Sequence, residues 1–406
     1  MNAPPTPQET QALTTAEEAA NLPLPGRSAA LSALGAAALA ACGGGSDDSP
    51  STPGTPGTPG PPGDGTGTPP APLTHEESAR FLAQATLGAS RADIEALTSK
   101  GLETWLNEQF AMPVSMRLVD WLYAKGLDAE EFRFSQRGLD NALWRTLITS
   151  PDALRQRVAL ALSEICVASV LGVDSSYRQF ALAYYYDILQ THAFGNYRQL
   201  LEDISLSPAM GYYLTYRGNS KANPKTGSQP DENYARELMQ LFTIGLVQLR
   251  ADGTPVVNNG QFVETYRSDD VMGLARVFTG WDLDTAGLSK PYPAAQMCRP
   301  MAQVASRYET GAKQFLGTTI PEGTDALAAL RRALDALFVH PNVAPFISRQ
   351  LIQRLVTSNP SGGYVARVAA VFANNGQGAR GDLRAVVRAI LLDPEARDRG
   401  QLQNPN

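Results

Sequence analysis

Apolar residues recur at helical spacing through most of the chain from Thr74 onward. The segment Thr74–Glu77 has the Thr-x-x-Glu pattern of a capping box, in which two side chains satisfy backbone N–H groups at a helix start. Three- and four-residue spacing of apolar positions is typical of an amphipathic helix. It predicts, among others, four consecutive helices near the end of the chain: Thr324–Phe338, Val343–Ser358, Tyr364–Asn374 and Asp382–Leu392.

Period-two alternation, the pattern of a half-buried strand, is nearly absent. The one good candidate is Pro255–Thr265, where Asn259-Gly260 would form a type I′ turn between two short strands. The sequence therefore predicts an all-α fold. We expect a multi-helix single globular domain over residues 73–397, with at most one short β-hairpin, preceded by a disordered leader.

Residues 1–42 have the organisation of a bacterial lipoprotein signal region. Arg27 precedes an Ala- and Leu-rich run that is too short to span a bilayer but has the length of a signal-peptide apolar segment. The run ends in L-A-A-C (Leu39–Cys42), which resembles a lipobox, so we predict lipid attachment at Cys42. The alternative is a disordered Ala-rich tail with an incidental cysteine. Ser28 follows Arg27, so a twin-arginine motif is missing and the export route stays open.

Residues 43–72 consist mainly of Gly, Pro, Thr and Ser. Such a composition cannot bury enough apolar surface to offset the entropy lost on ordering, so we predict a disordered tether. Gly43 stands where Asp would resemble an inner-membrane retention signal, which favours the outer membrane or a periplasm-facing position. Residues 398–406 form a polar tail. We therefore expect an exported protein of the cell envelope that contacts the membrane through a lipid anchor only.

The net charge of the chain limits the classes of partner that it can bind. The chain has 34 Lys and Arg against 40 Asp and Glu, a net charge of −6, whereas nucleic-acid binding needs clustered cations. We therefore expect no nucleic-acid partner.

Only two cysteines, Cys166 and Cys298, lie in the helical part. Because Cys166 stands in an apolar helical run, free thiols are favoured over a disulfide, although pairing stays open.

Motifs of known catalytic or metal sites are mostly absent. None of the three histidines, His75, His192 and His340, has a metal-ligand partner three or four residues later. Asp282-Leu283-Asp284 is similar to the start of an EF-hand loop, but Pro293 stands at the twelfth position, where a bidentate Glu is needed. We therefore predict no metal site, and the cofactor is unknown.

A polar stripe beside a strongly apolar helix face marks the segment Asp231–Gly245. The candidate catalytic residues are Glu232, Arg236 and Glu237, since carboxylates supply acid–base groups and Arg binds anionic or polar substrates. The candidate ligand-binding residues are Asn233, Gln240 and, from the next predicted helix, Asp270. The alternative is a buried network that locks helices together. The sequence favours the network, because internal polar groups usually exist to satisfy one another.

Several long segments, taken in order, resemble one bacterial family. The most specific are D-E-N-Y-A-R-E-L-M-Q-L-F-T-I-G (Asp231–Gly245), Thr265-Tyr266 and D-D-V-M-G-L-A-R-V-F-T-G-W (Asp269–Trp281). Further matching segments are Arg80–Gly88, Leu154–Ile165, Ala193–Leu214 and His340–Pro360. Together they look like the family called domain of unknown function 1800, over nearly all of residues 73–397.

This resemblance implies export but no activity and no catalytic residues. It implies one candidate partner, a hydrolase-like protein of the family called domain of unknown function 1501, which is often encoded beside members. Relatives usually continue with further helix, so the resemblance implies that this chain is truncated after Asn406.

Two functions of different classes follow from these observations. The first is a binding or assembly module of the cell envelope, supported by the tether and by the absence of a nucleophile–base or metal motif. The alternative is an enzyme with a carboxylate and arginine site on the helix from Asp231 to Gly245. A purely structural role in the envelope is a third hypothesis.

Overall fold

A computed structural model of the chain describes residues 72–398. The predicted all-α class is confirmed within this range. Its helices are α1 (His75–Ala85), α2 (Arg91–Lys100), α3 (Leu102–Ala111), α4 (Leu118–Ala124), α5 (Leu139–Thr149), α6 (Ala153–Ser163), α7 (Arg178–His192), α8 (Tyr197–Ser205), α9 (Pro208–Tyr213), α10 (Asn233–Gln240), α11 (Ser268–Ala275), α12 (Ala326–Val339), α13 (Val343–Leu355), α14 (Gly362–Ala373), α15 (Leu383–Leu392) and α16 (Pro394–Arg397). The predicted signal region with Cys42, the tether before residue 72 and residues 399–406 lie outside the described residues.

Helix α7 lies at the centre of the fold. Twelve of its fifteen residues are buried, so it must be covered on every side. Helices α4, α6, α8 and α9 pack against it. Asp187 of α7 is 3% exposed, and its carboxylate accepts hydrogen bonds from the backbone N–H groups of Leu118 (2.7 Å) and Val119 (3.2 Å). This carboxylate therefore caps α4 from a neighbouring helix.

The predicted start of the first helix and the four terminal helices are confirmed. Thr74 and Glu77 form the expected capping box at the start of α1. Helices α12 to α15 agree with the four predicted segments to within a few residues. Helix α14 packs between α13 and α15, and α15 turns its apolar side inward.

Three two-stranded antiparallel sheets accompany the helices in the described part of the chain. Their strands are β1 (Val257–Asn258) with β2 (Gln261–Phe262), β3 (Trp281–Asp282) with β4 (Ala302–Gln303), and β5 (Lys313–Phe315) with β6 (Thr318–Ile320). The first pair confirms the predicted hairpin, and Asn259 and Gly260 have the positive φ angles (48° and 78°) of its turn. The expectation of at most one hairpin is wrong, because strands of two or three residues are too short to show alternation.

The β5–β6 hairpin is held against α11 by contacts that are distant in sequence. Leu316 in its turn has a positive φ of 47°, which is unfavourable for a branched side chain. Its backbone N–H donates to the Asp270 carboxylate of α11 at 2.6 Å. Gly273 of α11 lies against the Gln314 carbonyl of β5. These contacts stabilise a turn that the local sequence does not favour.

Both cysteines of the described residues are free thiols. Burial raises the pKa of Cys166 and of Cys298 to about 12 in each case, so neither is a thiolate at neutral pH. No helix between residues 72 and 398 has the length and apolarity needed to cross a bilayer.

Candidate functional site

The helix that carries most of the candidate residues is shorter than predicted. Helix α10 spans Asn233–Gln240, whereas the sequence indicated Asp231–Gly245. At its start, the Asp231 carboxylate accepts from the backbone N–H of Asn233 at 2.8 Å, so Asp231 precedes the helix as a turn residue. At its end, the N–H of Gly245 donates to Met239, and Gly245 has a φ of 69° that reverses the chain.

Arg236 makes an ion pair on its own helix segment. Its Nη2 donates to Glu232 Oε2 at 3.0 Å, with side chains 42% and 35% exposed. A pair this exposed contributes at most about 1 kcal/mol to stability. Arg236 therefore does not behave as the buried charge of an interhelical lock.

Glu237 is the buried member of the stripe. It is only 6% exposed, and its Oε2 has no hydrogen-bond partner among the described residues. Burial raises the pKa of its carboxyl above the ordinary value of 4.5, and the neighbouring Arg236 opposes the rise. A buried carboxyl oxygen without a partner costs stability, so it needs another explanation than packing.

Tyr266, on the segment between β2 and α11, completes this face. Its hydroxyl donates to Gln240 Oε1 at 3.3 Å. Burial raises the pKa of Tyr266 to about 12, while Arg236 lowers it and Glu237 raises it further. The three groups therefore lie within electrostatic reach of one another, and we call Arg236, Glu237, Gln240 and Tyr266 the α10 polar face.

The other candidate residues lie away from the α10 polar face or make only long hydrogen bonds. Asn233 Nδ2 donates to Thr215 Oγ1 at 3.5 Å, which is a long contact. Both carboxylate oxygens of Asp270 accept backbone N–H groups, from Arg267 at 2.8 Å and from Leu316 at 2.6 Å. Asp270 thus caps α11 and holds the β5–β6 turn, and the structure does not bring it to the α10 polar face.

Tyr266 was not among the candidate residues chosen from the sequence. Its position after Thr265 in a family-like dipeptide was the one available signal. No local spacing relates residue 266 to residue 240, because the intervening β1–β2 hairpin brings the chain back to α10.

The sequence profile of the family described as "Protein of unknown function (DUF1800)" matches residues 80–406. The chain belongs to the DUF1800 family. The match covers all of α2 to α16 and most of α1, so the α10 polar face lies inside the DUF1800 region. No curated protein and no solved structure shows a significant match to the chain.

In this DUF1800 member, residues 72–398 hold no group of three or more His, Cys, Asp and Glu side chains placed to bind a metal ion. The α10 polar face instead offers a cation at Arg236, a phenol that stays protonated at Tyr266, and a carboxyl at Glu237 that holds its proton to higher pH than usual. Such a set can donate and accept hydrogen bonds and can bind an anionic group. The hydrogen bond that joins Tyr266 to Gln240 is 3.3 Å long, so it links these two segments only weakly.

Proposed function

We propose that this chain is a cell-envelope lipoprotein, anchored through Cys42, that acts as a binding or assembly module through its α10 polar face. The observation that carries this proposal is Glu237, a nearly buried carboxyl with an unpaired oxygen beside a half-exposed arginine. Polar groups that are left unpaired inside a fold are typical of sites where a ligand or partner supplies the missing hydrogen bond.

The partner that we propose is the hydrolase-like protein of the domain of unknown function 1501 family. The family resemblance supports this choice, and the site supports a partner group that donates a hydrogen bond to Glu237 and carries negative charge for Arg236. Arg236 and Tyr266 are well suited to such contacts, because arginine and tyrosine often dominate the energy of protein interfaces.

Arg236→Ala and Glu237→Gln are expected to abolish partner binding while the domain stays folded. Arg236→Ala removes one exposed ion pair and should cost no more than about 1 kcal/mol of stability. The measurement is co-purification of the full-length protein with its envelope partner, with thermal melting of each variant in parallel. Arg332→Ala, an exposed arginine of α12, is the matched control and should bind as the wild type does.

The pH dependence of the Glu237→Gln melting temperature independently checks that the Glu237 carboxyl is buried and has a raised pKa. The folded pKa of Glu237 is raised, so its ionisation destabilises the fold as pH rises from 4.5 through the folded pKa. Glutamine does not ionise, so the variant should be the more stable protein at about pH 8, with the difference shrinking towards about pH 4.

Two outcomes of these experiments would contradict the proposed site. Normal partner binding by both folded variants would refute it, and a large loss of stability in Arg236→Ala would favour a structural lock.

Cys42→Ser is expected to release the protein from membranes. Acylation is the only membrane attachment in this proposal, and a Ser at residue 42 cannot form the thioether. Fractionation of cells that express either form, with labelling by a radioactive fatty acid, measures this directly. A wild-type protein that takes up no label, or a variant that stays with the membrane fraction, would contradict lipid anchoring and leave the α10 polar face to be judged separately.

The enzyme hypothesis has one observation in its favour, the raised pKa of Glu237 beside the protonated phenol of Tyr266. A carboxyl with a raised pKa keeps its proton to higher pH than usual and is therefore a better general acid. In that case Glu237→Gln would still bind its substrate but lose turnover, whereas a binding module would lose the complex itself.

A further inference from the structure

The Asp282-Leu283-Asp284 segment, which is similar to an EF-hand loop only at its start, binds arginines. Asp282 Oδ1 accepts from Arg217 Nη1 at 2.6 Å, and Oδ2 accepts from Arg307 Nη1 at 2.7 Å. One carboxylate thus holds two guanidinium groups close together. Burial raises the pKa of Asp282, but the backbone N–H of Leu283 and the two arginines together hold it below its usual range.

Several contacts fix the positions of these cations. The Arg217 guanidinium lies over the Tyr212 ring, 4.3 Å from its centroid. The N–H of Gly218 donates to the carbonyl of Trp281 at 2.7 Å, which joins the Arg217 loop to β3. The N–H of Lys221 donates to the carbonyl of Arg307 at 2.7 Å, so the backbone of the exposed Lys221 lies against the backbone of Arg307. The two guanidinium groups are therefore held in place before any ligand arrives.

The cluster carries more positive charge than it neutralises. Arg217 and Arg307 supply two positive charges and Asp282 supplies one negative charge, so the bonded group has a surplus of one in a chain of net charge −6, and Lys221 adds a further cation on the adjoining segment. Within residues 72–398, the Nε and Nη2 groups of both arginines have no hydrogen-bond partner. The arginine side chains are 32% and 41% exposed, so solvent and ligands reach them.

We propose that Arg217, Lys221 and Arg307 form a binding site for a phosphate group. A phosphate with one or two negative charges balances the surplus, and paired N–H groups of a guanidinium match two phosphate oxygens at once. Free phosphate and a phospholipid headgroup carry the same chemistry. This site is independent of the α10 polar face and does not rest on the function proposed for it.

The test uses the full chain with Cys42→Ser, so that an acyl anchor does not itself bind vesicles. One arm titrates inorganic phosphate by calorimetry at constant ionic strength. The other arm measures flotation with phosphatidylglycerol–phosphatidylcholine vesicles and with phosphatidylcholine vesicles alone. Saturable phosphate binding identifies the free ion as a ligand, and binding to the anionic vesicles alone identifies the headgroup.

Arg307→Gln should weaken whichever binding is found by about tenfold or more, because it removes one guanidinium from the site. Lys221→Gln, which changes an exposed side chain, should weaken it less. Arg299→Gln is the matched control: it also removes one positive charge, but Arg299 is paired one-to-one with Asp284 at 3.2 Å. Absence of binding in both arms, or an equal loss in Arg299→Gln, would overturn the proposal.

Discussion

Gly273→Ala is expected to destabilise the domain by about 3 kcal/mol or more, at the upper end of overpacking effects. A Cβ at this position would lie 1.7 Å from the Gln314 carbonyl oxygen and 2.8 Å from its carbonyl carbon. Both are backbone atoms, so no side-chain rotation relieves the clash. The β5–β6 hairpin would have to move away from α11, and the Asp270 contact to the Leu316 N–H would be lost with it.

Chemical denaturation of the wild type and the variant measures this loss. Gly363→Ala is the matched control, since Gly363 is also a helical glycine but its added Cβ would meet only side-chain ends, the nearest being Arg367 Nη1 at 3.2 Å. Alanine has the higher helix propensity, so this control should be neutral or more stable by up to about 1 kcal/mol. Equal stability of Gly273→Ala and the wild type would show that the hairpin does not pack on α11 as described.

Local sequence patterns were sufficient to predict most of the helices. The capping residues Thr74 and Glu77 are three residues apart, and the apolar positions of α12 to α15 recur within single helices. Both signals involve neighbours along the chain, so a single sequence contains them. The β1–β2 hairpin was predictable for the same reason, because Asn259-Gly260 specifies its turn locally.

The β5–β6 hairpin was not predictable, because its stability comes from another part of the chain. Leu316 is a poor residue for a positive φ, and its N–H is satisfied by Asp270, which lies 46 residues earlier. Asp270 therefore resembled a ligand-binding residue in the sequence, whereas both of its carboxylate oxygens bind backbone groups. An isolated carboxylate has the same appearance in a sequence whether it caps a helix or binds a ligand.

The polar stripe of α10 was predictable, but its burial was not. Arg236 and Glu237 are adjacent in sequence, yet the first is half-exposed and the second is nearly buried. Helical periodicity places both on one side of the helix, and it does not contain the tertiary packing that covers one of them and leaves the other accessible. For this reason the sequence predicted a polar stripe without distinguishing its members, and the structure assigns the buried position to Glu237.

Asp187→Ala is expected to destabilise the domain by about 2–4 kcal/mol. The substitution leaves the N–H groups of Leu118 and Val119 at the start of α4 without their acceptor, and Leu118 is fully buried. An unsatisfied buried donor costs about 1–3 kcal/mol, and loss of an N-terminal cap costs about 0.5–2 kcal/mol. Asp174→Ala, at an exposed acid before α7, should change stability by no more than about 0.5 kcal/mol.

Asp187→Asn separates the role of the hydrogen bonds from that of the charge. Burial raises the pKa of Asp187 from 3.8 to about 7, although the two backbone N–H groups oppose the shift. The folded state therefore binds its proton more tightly than the unfolded state, and the contribution of Asp187 to stability falls as pH rises from 3.8 to about 7. Asparagine keeps one acceptor and does not titrate, so the variant should lose less stability than Asp187→Ala. It should also gain on the wild type as pH rises through this range, as urea unfolding at several pH values would measure. A constant difference between the two proteins across the range would mean that Asp187 is already ionised in the fold at low pH and that the cap, not burial, sets its pKa.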